Sequence, residues 1–207
     1  MKRTTKYKIV NLSLILFITF LTIDLYKAYN TLSVLVFPLL LLAIINVSTK
    51  LLWRKFYQGR RLIQQKKYKE AIEKYESFLT NMRSNPLIKH LMFLTIKIYT
   101  LSLEAVTYNN IASCYINLSQ LKKAKEAARQ SLQIDELYAI PYYNLAIISV
   151  IEGNPSDAKK HLEKSGELGL KPMDFDAFQS YIKKIFNVSS KSVNKAKTNT
   201  DENSKKE

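Results

Sequence analysis

Residues Tyr108, Asn110, Ala112 and Ala124 recur as Tyr142, Asn144, Ala146 and Ala158, each 34 positions later. Self-similarity at that period, with small residues in fixed places, is the mark of stacked helical hairpins. The small residues set the helix spacing. Ala112 and Ala124 are the expected contact points within one hairpin, and Ala146 and Ala158 within the next. A larger side chain there would overpack the contact, typically at ~1–3 kcal/mol. Stacks of this kind present extended binding surfaces.

The surrounding residues carry the pattern further. A unit at 105–138 has Tyr108, Asn110-Ile111-Ala112, Tyr115, Leu121, Ala124, Ala128, Ser131 and Leu132. A unit at 139–172 has Tyr142, Asn144-Leu145-Ala146, Gly153, Ala158, Leu162 and Ser165. A unit near 52–85 shows its second helix in Tyr68, Ala71, Ile72, Tyr75 and Phe78-Leu79, closed by Asn85-Pro86. Its first helix keeps Gly59 but places Lys55 and Gln58 where large apolar residues are usual. These residues resemble the tetratricopeptide repeat (TPR) family. The resemblance implies an all-α fold, a short TPR-type α-solenoid over 49–187.

The first 48 residues are of another kind. A basic start, 1–8, holds Lys2, Arg3, Lys6 and Lys8. Ile9–Leu25 is an apolar run with Asp24 near its end, and Leu32–Val47 is a second run without charge. A helix of 17 residues rises ~26 Å, close to a hydrocarbon core of ~30 Å. The expectation is a two-helix transmembrane hairpin over 9–48, turning near 27–30. The first run exceeds an ordinary signal h-region and no Ala-x-Ala site follows, so it reads as a retained span. Basic residues flank both spans, with Lys27 alone in the turn, which places both termini in the cytoplasm of a multi-pass cell-membrane protein.

The formal net charge of +15 is uneven. Residues 49–104 hold 12 basic and 4 acidic residues, whereas 105–187 hold 10 and 9. The excess lies beside the expected spans, where a basic juxtamembrane segment attracts anionic lipid. Nucleic acid is not an expected partner, because no motif for it accompanies the charge. The single cysteine, Cys114, falls among packed positions and reads as a small buried residue.

Residues 86–104 exceed the 34-residue period. With no Gly or Pro between Leu87 and Ile140, the simplest reading is an early start to the first helix of the unit at 105–138. After the repeats, Phe175, Phe178, Ile182 and Ile185 recur at helical spacing, giving a capping helix at 174–186 with Asp174 as N-cap. The tail 188–207 is polar and is expected to be disordered. Two histidines, His90 and His161, show no metal-ligand spacing, and four glycines form no phosphate-cradling loop. No enzyme, cofactor or metal is expected.

The expected function is a membrane-anchored adaptor binding a protein or peptide. Two alternatives are a self-associating structural protein, a homo-oligomer, and a non-catalytic subunit of a membrane complex. In the TPR family the concave groove is lined largely by the first helix of each unit. Carried over by position, the resemblance implies Asn109, Ser113, Ile116 and Asn117 in one unit and Tyr143, Ile147, Val150 and Ile151 in the next. Asn110 and Asn144 occupy the family's usual Asn position, with a role in structure or in binding a peptide backbone.

Overall fold

The computed structural model describes residues 3–29, 36, 40, 43, 47, 51–84, 100, 102–171 and 173–187. Among the described residues the regular elements are helices: α1 (Arg3–Tyr29), α2 (Arg54–Gln64), α3 (Tyr68–Ser84), α4 (Leu103–Asn117), α5 (Leu121–Ile134), α6 (Ala139–Ile151), α7 (Pro155–Glu167) and α8 (Phe175–Ile185). The chain divides into two units between Thr107 and Tyr108.

In the first unit, α2 and α3 pack as a hairpin. Phe56 stands edge-on to Tyr75 at 5.8 Å and lies 5.6 Å from Phe78, and Ala71, Tyr75, Phe78 and Met82 are fully buried. Gly59 makes this approach possible, since a Cβ there would lie 2.7 Å from Tyr75 Cε1. Lys55, at a position usually apolar, donates instead to Ser77 Oγ at 2.7 Å. The departure from pattern is thus absorbed by a polar contact across the hairpin.

The helix-to-helix turn is the same in each hairpin. Lys66, Ser119 and Gly153 take left-handed φ values of 60°, 57° and 78°. At the first, Lys66 N–H donates to Ile63 O at 2.9 Å and Lys67 N–H to Leu62 O at 2.9 Å. Ser119 and Gln120, then Gly153 and Asn154, repeat both bonds. This is a Schellman closure, which satisfies carbonyls that the helix end would orphan. The three turns are spaced as Gly59, Ala112 and Ala146 are, so small contact and turn keep one register.

In the second unit, α5 buries a small stripe, Ala124, Ala127, Ala128 and Ser131, and packs on α6. α6 packs closely on α7, with Ala146 and Ala158 both fully buried. Pro141 sits in the first turn of α6, where a missing N–H costs nothing. Asn154 caps α7 by accepting from Asp157 N–H at 3.2 Å, with Pro155 at the first helical position. Asp174, the expected N-cap, accepts from Ala177 N–H at 3.0 Å and starts α8, which packs on α6 and α7.

Two sequence expectations change. Among the described residues no helix is long and apolar enough to cross a membrane. Lys8 and Asp24 bound the first apolar run at 15 residues, a rise of ~22 Å against a core of ~30 Å. The transmembrane hairpin is therefore not supported, and most of its second run lies outside the described residues. Nor does α4 start early. It begins at Leu103, with Ser102 Oγ accepting from Ala105 N–H at 3.2 Å. The segment 86–99 and the tail 188–207 lie outside the described residues.

Candidate functional site

The expected groove residues lie on α4 and α6, in the second unit. The link between those helices is a carboxamide pair: Asn144 Nδ2 donates to Asn109 Oδ1 at 2.9 Å. Both side chains are buried. A buried amide with a good partner adds ~1 kcal/mol and fixes one helix register, whereas an orphaned one costs ~1–3 kcal/mol. Asn109 is one position off the 34-residue match of Asn110 to Asn144. The bond therefore joins unlike repeat positions, which the spacing alone did not reveal.

The remaining expected residues divide by exposure. Ile116 and Val150 are buried. Asn110 and Ser113 are half-buried and Asn117 is exposed. Asn117 Nδ2 donates to Ser113 O at 2.8 Å. Tyr143, Ile147 and Ile151 are partly buried, because α8 lies over them. Tyr143 meets Phe178 edge-on at 5.3 Å. Phe178 and Ile182 join Ala146, Val150, Ala158 and Leu162 in one apolar cluster. The capping helix thus packs on the side of α6 where the expected groove residues lie. The signal for this was the spacing of Phe178 and Ile182, but nothing in the sequence named their target.

Burial, and then the neighbouring Tyr181, raise the Tyr143 phenol above its ordinary value, so it stays a neutral hydroxyl. Cys114 is fully buried and its thiol is pushed up to about 12 by burial, which removes the thiolate needed for a nucleophile. His161 lies beside Tyr142, with ring centroids 6.3 Å apart and planes tilted by 35°. Burial lowers its pKa first, and Lys160, Lys125 and Arg129 lower it further against the opposing pull of Asp157. Lys125 also reaches Glu152 at 2.8 Å, tying α5 to the end of α6. Among the described residues, no three His, Cys, Asp or Glu side chains gather where a metal could be held.

Comparison with known proteins agrees with the repeat register. The family model described as "Tetratricopeptide repeat" matches residues 105–136. A comparison with curated proteins found no match. Among solved structures, one described as "First TPR of Spaghetti (RPAP3) bound to HSP90 peptide SRMEEVD" is similar at 20% identity and a TM-score of 0.47, covering 66% of this chain and 93% of that one. Residues 105–136 thus match the tetratricopeptide repeat model, within a chain whose described elements are all helical.

Proposed function

We propose that the protein is an adaptor that binds a peptide or protein segment along the α4–α6 side of its second unit, while α1 attaches it to a membrane. The observation that carries the first part is an uncharged face. No residue from Ala105 to Leu121 or from Leu137 to Ile151 is charged. Among the described residues from Ala105 onward, the charges sit on α5, α7, α8 or the turns. Such a face suits hydrogen bonding and apolar contact. Asn110, Ser113 and Asn117 supply donors and acceptors, and the open edges of Tyr143 and Ile147 supply apolar surface. Asn109 and Asn144 act beneath them, holding the two helices in register.

The attachment rests on α1. Leu16, Phe17 and Phe20 are 61%, 61% and 63% exposed, and Ile18 is exposed as well. Consecutive helical residues point ~100° apart, so this apolar surface encircles the helix, an arrangement suited to lipid. The basic residues on either side favour the cytoplasmic face of the cell membrane, with both termini on that side.

The test is affinity capture after crosslinking in cells, comparing the wild type with Asn110→Ala/Ser113→Ala/Asn117→Ala. These positions are open enough for the fold to survive, as circular dichroism will check. A partner lost only from the variant supports the adaptor. Survival of every partner in a folded variant rejects the face. A second reading, self-association, has one observation in its favour: Tyr181 and Ile185 are 56% and 51% exposed on α8. Mass measurement in mild detergent decides it.

A further inference from the structure

The outward side of α2 has a composition of its own. The helix contains Arg54, Lys55, Arg60 and Arg61 and no acidic residue. At ~100° per residue, Arg54, Tyr57, Arg60 and Arg61 fall on one arc. All four are exposed. The opposite arc holds Phe56 and Gly59, buried against α3. Lys55 lies ~100° round from Arg54, off the arc, and donates to Ser77 Oγ. Leu51 and Leu52, just before the helix, are 67% and 42% exposed. Packing therefore leaves three arginines and a tyrosine on one outward arc, with two exposed leucines just ahead of the helix in the chain.

We propose that this face of α2 docks on the headgroups of an anionic lipid bilayer. Arginine supplies fixed charge with planar donors matched to phosphate, and tyrosine with leucine suits the depth at which headgroups meet acyl chains. An acidic peptide satisfies the arginines but leaves Leu51 and Leu52 without a partner, so the bilayer is the occupant the surface favours. The docking rests on the membrane reading of α1 and adds to it: α1 supplies apolar attachment, and α2 senses lipid charge.

The experiment uses the full chain with phosphatidylcholine vesicles, with and without phosphatidylserine, at low and high salt. The variants are Arg54→Gln/Arg60→Gln/Arg61→Gln and a control that removes equal charge elsewhere, Lys122→Gln/Lys123→Gln/Lys159→Gln. Wild type and control are expected to partition more strongly onto phosphatidylserine vesicles, and high salt to erase the gain. The arginine variant should lose it by on the order of fivefold per residue and 100-fold in all. An equal gain in wild type and arginine variant overturns the proposal, as does an equal loss in the control. Arginine-dependent capture of a polyglutamate peptide without any gain from phosphatidylserine overturns it in favour of a protein partner. Binding to phosphatidylcholine alone reports on α1. Its absence with an arginine-dependent phosphatidylserine gain rejects the attachment by α1 and leaves the α2 face standing.

Discussion

Single residues decide whether neighbouring helices can touch. At Gly59 an added Cβ meets the ring of Tyr75, which is fully buried and has no room to retreat. Gly59→Ala should destabilise the protein by ~1–3 kcal/mol, read from urea unfolding. Ser119 gives the opposite result. It holds a φ of 57°, which glycine adopts without a clash between Cβ and backbone. Ser119→Gly should gain a few tenths to ~1 kcal/mol, as relief of left-handed strain outweighs the added freedom of the unfolded chain. His161 makes stability depend on pH. Its folded pKa lies below the ordinary 6.5, so the unfolded chain takes up the proton first. The contribution of neutral His161 is complete above 6.5 and fades as pH falls through 6.5 toward the folded value. Unfolding at pH 7.5 and 5.5 should show less acid loss in His161→Gln than in the wild type.

At the scale of elements, α8 is both a cap and a wall. A stack that ended at α7 would leave Ala146, Val150, Ala158 and Leu162 facing water. Phe178 and Ile182 cover them, and Tyr143 leans on the same ring. Phe178→Ala should cost ~3–5 kcal/mol. It should also lower the raised pKa of Tyr143, because the ring that buries it is gone. A spectrophotometric titration that left Tyr143 unchanged would mean that α8 does not shape this face. The small stripe of α5 works by the same physics in reverse: without bulk, Ala124, Ala127 and Ala128 let α6 come close.

At the scale of the molecule, charge is sorted by helix. The proposed binding face is neutral and the proposed lipid face is basic, so the two should respond differently to salt. Screening acts on charged contacts and hardly on neutral hydrogen bonds or apolar burial. Capture of the adaptor's partner should persist in high salt while the gain from anionic vesicles disappears. Partner capture that fails in high salt would move the binding site off the α4–α6 face.

Much of this was legible in the residues themselves. The period of 34, the small positions and the helical character follow from spacing, because helices that must touch tolerate only small side chains at the contact. Asp174 as a cap was readable for a similar local reason, a short acceptor ahead of an apolar pattern. What required the tertiary structure was every pairing between distant residues. Asn109 meets Asn144 one position off the repeat match, and Phe178 covers Tyr143. Lys55 bonds Ser77 across the first hairpin, and burial of Phe56 and Gly59 leaves three arginines and a tyrosine on the outer arc of α2. The start of α4 at Leu103, behind the Ser102 cap, also required the structure, because a continuous helical pattern hides a cap within it. Periodicity records which side of a helix is buried. Only packing decides what buries it and which side remains for a partner.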